Sequence, residues 1–155
     1  GVLSKSEVEA LHEGRQQFRH SSLGSLMKKE KIITQAQLDE ALAYVKSLGA
    51  RADSMAHYTV GVACFEKVRN DKEQLISPEQ RMVIVDAGIE ELRKSVAMTP
   101  DSFDSLVYLN LVLRQKARLE VDPVVQQALI AEAVTLQDKA RAIAAARKAK
   151  EAAAS

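Results

Sequence analysis

Tryptophan is absent from this chain, and cysteine occurs once, at Cys64. A lone thiol excludes an internal disulfide framework and any zinc site built on several cysteines. Three prolines, six glycines, three tyrosines and three phenylalanines in 155 residues leave few turn and strand formers. No apolar run approaches the roughly 18 residues that a membrane-spanning helix needs. Neither sign of charge is in excess: 22 Lys and Arg against 21 Asp and Glu give a net charge of +1. No bulk field therefore draws in nucleic acid or anionic lipid. No Gly-x-Ser-x-Gly elbow and no glycine-rich phosphate loop occurs. The expectation is a protein without catalytic activity, cofactor or metal, with no nucleic-acid partner and no membrane insertion.

What fills the space is Ala, Leu, Glu, Lys and Gln, a helical composition. With 46% hydrophobic and 28% charged residues, the chain has the mixture of a folded domain. The opening Gly1-Val2-Leu3-Ser4 has no initiator methionine and reads as trimmed. Cytoplasm and periplasm are both compatible with one thiol, so the compartment stays open.

Punctuation marks six helices. Ser4-Lys5-Ser6-Glu7 and Thr34-Gln35-Ala36-Gln37 are capping boxes, in which a hydroxyl and a longer polar side chain satisfy free amides of the first turn. The second leads into Leu38, Ala41, Leu42, Val45 and Leu48 on one face, stopped by Gly49. Asp53 or Ser54 caps a third helix, which carries Tyr58, Val62, Phe65 and Val68. Ser77-Pro78 opens a fourth that runs to Pro100, Asp101 is expected to cap the fifth, and Asp122-Pro123 opens the sixth. Residues 147–155 are Ala/Lys-rich, and a helical extension or frayed tail is expected there. Arg69 to Ser77 interrupts the pattern with Arg-Asn-Asp-Lys-Glu-Gln and is expected to be a mobile, protease-sensitive loop. The reading is all-α, a single domain over residues 1–146 built from helix pairs at about 4–49, 54–99 and 101–146.

The second pair resembles a tetratricopeptide (TPR) repeat, most clearly over residues 55–118. Val60-Gly61 stands where that family has Leu-Gly, and Gly88, Leu92 and Ser95 match its small-large-small row before Pro100. In the third pair Leu109-Asn110 replaces Leu-Gly, and Ala133, Gln137 and Ala140 follow the row imperfectly. In the first, Ala41, Val45 and Leu48 match, with Asp53 in the proline's place. The period of about 45 residues exceeds the family's ~34, through longer connections at Arg69–Ser77 and Ala117–Asp122. The resemblance implies a short right-handed array of about three antiparallel helix pairs. It also implies a groove, lined by the first helices, that binds a protein or peptide.

Residues 22–48 are similar to the N-terminal domain of secretion and pilus-assembly ATPases, some of which bind a cyclic dinucleotide. The likeness lies in Leu23-Gly24 and Ile33-Thr34 with Ala41-Leu42. Ser22 replaces that motif's Arg, Lys31 or Ile32 its Gly, and its Gln has no counterpart. A third reading is self-assembly into a homo-oligomer, because a final helix without a polar outer face leaves the array's end apolar.

Few side chains invite chemistry. His12, His20 and His57 are read as surface or half-buried groups, Cys64 as a buried inert thiol, and Glu90-Glu91 as solvated charge. Asn110 and Arg114 lie one turn apart on an otherwise apolar helix. An Arg fork suits a carboxylate and an Asn amide can both give and accept to an extended peptide. Asn110 and Arg114, with Tyr58 as an aromatic wall, are the candidate partner-binding set, expected to be partly exposed on one face.

Overall fold

In the computed structural model, which describes residues 33–155, local sequence signals set the helix ends. Helix α1 (Gln35–Leu48) starts on the Thr34–Gln37 capping box and ends at Gly49, whose φ of 52° is open to glycine. A short 3-10 turn, Gly49–Arg51, leads to α2 (Ser54–Arg69), whose cap is Asp53. Helix α3 (Pro78–Met98) begins on Ser77 with proline in its first turn. Helix α4 (Phe103–Leu119) corrects the expected cap by one residue. Ser102, not Asp101, accepts the Ser105 amide at 3.3 Å, while Asp101 lies exposed, 3.6 Å from Lys139 Nζ. Helix α5 (Pro123–Ala153) starts on Asp122 and stays helical to Ala153.

No strand occurs among the described residues, so the all-α reading holds there. Each helix packs on its neighbour in sequence, and α2 also touches α4. Ser54, opening α2, bonds to Ser95 near the end of α3, so these two run antiparallel. Arg114 in the second half of α4 reaches Gln137 in the first half of α5, so that pair does too. The first helix of the N-terminal pair, expected after Ser4, lies outside the described residues, as do His12, His20 and residues 22–32.

The core is widest between α2 and α3. Val60, Ala63, Cys64, Val85 and Leu92 are fully enclosed there, with Val112 and Leu113 closing it from α4. The helices meet closely because two positions have no side chain. A Cβ on Gly61 would stand 2.4 Å from Leu92 Cγ, and one on Gly88 would stand 2.8 Å from Cys64 Cβ. Either distance is well inside van der Waals contact, so only glycine allows this approach. The expected row of Gly88, Leu92 and Ser95 thus faces α2, with Leu92 seated over Gly61. Ser95, fully buried, donates to the Ser54 carbonyl at 2.9 Å and shares a 2.9 Å contact with Ser105 Oγ, joining three helices through hydroxyls.

The Arg69–Ser77 connection is a loop, as expected, and it carries internal ties that the sequence did not indicate. Asp71 folds back so that its two carboxylate oxygens accept the Leu75 and Ile76 amides at 2.9 and 3.0 Å. Arg81 of α3 donates to the same carboxylate and, at 3.2 Å, to the Ile76 carbonyl, while the Ile76 side chain is buried. Burial opposes the charge on Asp71, but the two amides and then the Arg81 guanidinium outweigh it and hold the carboxyl below its ordinary range. Only Lys72 to Leu75 project as an exposed tip, with Gln74 at a positive φ of 54°.

Candidate functional site

Asn110 falls on the inner side of α4 and is 6% exposed, so it is buried rather than presented on a groove. Its amide oxygen accepts from Arg114 Nε at 2.8 Å, and Arg114 Nη2 donates onward to Gln137 Oε1 at 3.2 Å. The burial is chemically consistent, since a buried amide needs a partner and the guanidinium one turn away supplies it. Asn110 therefore orients Arg114. Arg114 itself is half-buried.

Tyr58 lies elsewhere. Its ring packs edge-on against Tyr108 at 5.7 Å, and Tyr108 packs edge-on against Phe65 at 5.7 Å. Tyr108 precedes Asn110 by two residues, about 200° round the helix, so the aromatic row and the polar pair occupy different faces. Burial, then the neighbouring Tyr108 and Asp104, push the Tyr58 hydroxyl up to about 12. The structure joins Asn110 with Arg114 and leaves Tyr58 apart from both.

Arg114 opens instead onto a cleft of about 450 Å³ among α2, α3 and α4. Phe65 and Val68 from α2 and Leu111 and Leu119 from α4 line it, with Arg69, Arg81, Arg114 and Arg118 also at its walls. Two of these cations are engaged: Arg81 by Asp71, and Arg69 loosely by Glu66 at 3.0 Å from an exposed position. Arg118 is exposed and has no ion pair among the described residues. Gln115 donates to the Phe65 carbonyl at 3.2 Å, while its buried Oε1 lacks a donor. Three of the four arginines escaped the sequence reading. Arg114 and Arg118 are four apart and legible as one face, but Arg69 and Arg81 reach the cleft only through the fold.

A second cleft, of about 740 Å³, lies among α1, α2 and α3. Here two expectations are corrected. Glu91 is 7% exposed, not solvated, and His57 is buried against it with Nδ1 to Oε2 at 2.5 Å. The other Glu91 oxygen accepts from Lys94 at 3.0 Å, and Lys94 also reaches Glu90 at 2.9 Å. The hydrogen bond from Lys94, and then its charge, hold the Glu90 carboxyl below its ordinary range, and Glu90 in return holds the Lys94 ammonium above its own. Adjacent glutamates point about 100° apart, so one reaches inward while the other stays in water.

Cys64, fully buried, sits two turns from His57. Burial first, and the Glu91 charge second, push its thiol up to about 12, so no thiolate is available. No group of three or more His, Cys, Asp or Glu residues able to hold a metal occurs among the described residues. No helix among them is long and apolar enough to cross a membrane. No protein-family model, no curated protein and no solved structure matches the chain.

Proposed function

We propose that this chain is a non-enzymatic binding module of the TPR-like kind, taking an acidic peptide segment in the arginine-walled cleft between α2, α3 and α4. The observation that carries this reading is the convergence of four arginines on an apolar floor. A guanidinium fork matches a carboxylate in two parallel hydrogen bonds, and the floor of Phe65, Val68, Leu111 and Leu119 suits an apolar side chain beside it. Arg114, held by Asn110 and Gln137, binds with little ordering cost. Arg118, without a partner, supplies the free charge. Close packing at Gly61, Gly88 and Leu92, together with adjacent antiparallel pairs, supports the array.

Fluorescence anisotropy with a labelled peptide of alternating Glu and Leu tests the reading. Binding should weaken as salt rises and should be lost with the Gln-for-Glu peptide. Arg118→Glu should reduce affinity at least about tenfold without changing the helical CD signal, about 1.4 kcal/mol in binding free energy. Equal affinity for the Glu and Gln peptides rejects the site.

A further inference from the structure

We propose that the cleft among α1, α2 and α3 is a second binding site, taking a small uncharged molecule with an apolar body and one N–H or O–H donor for His57 Nε2. The cleft holds about 740 Å³, within the range of small-molecule sites. Leu42, Ala43, Val45, Ala50 and Ala87 give it an apolar lining. His57, near the start of α2, is set into that lining, and its side chain is 9% exposed. Nδ1 is committed to Glu91, while Nε2 makes no hydrogen bond. Among the described residues, Gln115 Oε1 is the one enclosed side-chain atom without a partner. His57 Nε2 is therefore not enclosed, and the open space that its ring lines is this cleft.

The hydrogen-bond network decides which ring nitrogen carries the proton. Glu91 accepts from Lys94 at 3.0 Å through its other oxygen, as an ionised carboxylate does. An ionised Glu91 can only accept from His57 as well. In the neutral imidazole the proton then sits on Nδ1, and Nε2 presents a lone pair. A lone pair framed by apolar side chains selects a donor. Glu91, itself held by Lys94, also fixes the ring, so the acceptor is in place before anything binds. Charge selects against an ion. The lining sets Glu90 and Glu91 against Lys46 and Lys94, a balance around a neutral imidazole. Lys94 is shared by the two carboxylates, and Lys46 is exposed, with its charge in water. A bound anion or cation would upset that balance, whereas a neutral molecule leaves it intact. A flat apolar ring with one N–H at its edge is the simplest body with this chemistry.

Nitrogen NMR of histidine-labelled protein, titrated with indole in mildly alkaline solution where imidazoles are neutral, reads the outcome. His57→Gln assigns the ring by the signals that it removes. Without indole, Nδ1 should carry the proton and Nε2 should resonate as a bare nitrogen. Indole should move the Nε2 signal toward its hydrogen-bonded position and leave Nδ1 protonated. Its ring protons should show cross-relaxation to the methyls of Leu42 and Ala87. N-methylindole has nearly the same shape without the donor, and it should bind at least about fivefold more weakly. Indole carboxylate keeps the donor and adds a charge, and it too should bind more weakly than indole. These comparisons use the wild-type chain, so they stand even if His57→Gln is poorly folded. A proton found on Nε2 overturns the proposal. So do equal affinities for indole and N-methylindole, tighter binding of the carboxylate, and no indole binding at millimolar concentration.

Discussion

The α2–α3 and α4–α5 pairs are built from the same helical alphabet and finish differently. The α2–α3 contact is closed on two glycines, a seated Leu92 and a Ser54–Ser95–Ser105 hydroxyl row, and it buries a His57–Glu91 pair. The α4–α5 contact fully buries only two alanines of the longer helix, packs Leu129 and Leu136 partly buried beside the core, and adds the Arg114–Gln137 hydrogen bond. The first pair is therefore intolerant of added volume. The second leaves most of α5 exposed. Stability should concentrate in the first region.

The sharpest way to break that contrast is Gly61→Ala. On an exposed helix this change stabilises by up to about 1 kcal/mol. Here the new methyl would lie 2.4 Å from Leu92 Cγ, and a loss of about 1–3 kcal/mol is expected instead. Leu92→Ala, at a fully buried site, should cost about 2–5 kcal/mol. The double variant should be more stable than the sum of the two by about 1 kcal/mol or more, because each change relieves the other. Urea denaturation at constant slope measures all three. Strict additivity would mean that the helices do not meet through this contact.

These packing positions were legible in the sequence through the tetratricopeptide resemblance, whose Leu-Gly pair and small-large-small row they match, although the residues that meet, such as Gly61 and Leu92, are far apart in the chain. So were the caps at Thr34, Asp53, Ser77 and Asp122, whose partners lie within three residues. The Arg69–Ser77 connection was not, since the clasp on Asp71 depends on Arg81 ten residues on. Nor was the arginine cleft, because three helices converge to make it. Asn110 was singled out correctly as a polar group needing a partner, but spacing alone could not tell a groove from an interior. Glu91 was misjudged for the same reason, its partner His57 lying 34 residues earlier.

The second test concerns that clasp, and its effect should be smaller and local. The folded Asp71 carboxyl gives up its proton more readily than an unfolded one. Its contribution is therefore complete at pH values above the ordinary Asp range, and is lost as pH falls through the lower folded value. Amide hydrogen exchange at Leu75 and Ile76 should be slow at neutral pH and should accelerate in acid before the helices exchange. Asp71→Asn should show little of that pH dependence and should admit trypsin at Arg69 and Lys72 at neutral pH. Rapid trypsin cleavage of the wild type at those bonds would restore the picture of an untethered loop.

The smallest effect should come from Arg147→Ala, at the far end of the weaker pair. The Arg147 guanidinium lies 5.9 Å from the centre of the Phe103 ring at the start of α4, near the last inward contact that α5 makes. An exposed cation–aromatic contact of this kind contributes about 0.5–1 kcal/mol. Beyond it, Lys148 to Ala153 are exposed on every side, so the final turns are held by helix propensity and by this one tie to the body. Global stability in urea should fall by no more than about 1 kcal/mol. Amide exchange over residues 144–153 should nevertheless rise while residues 124–136 stay protected, because those lie opposite Arg93 and Arg114 and keep their own ties. A drop as large as that of Gly61→Ala would instead mean that the two pairs stand or fall together, and that the second is no looser than the first.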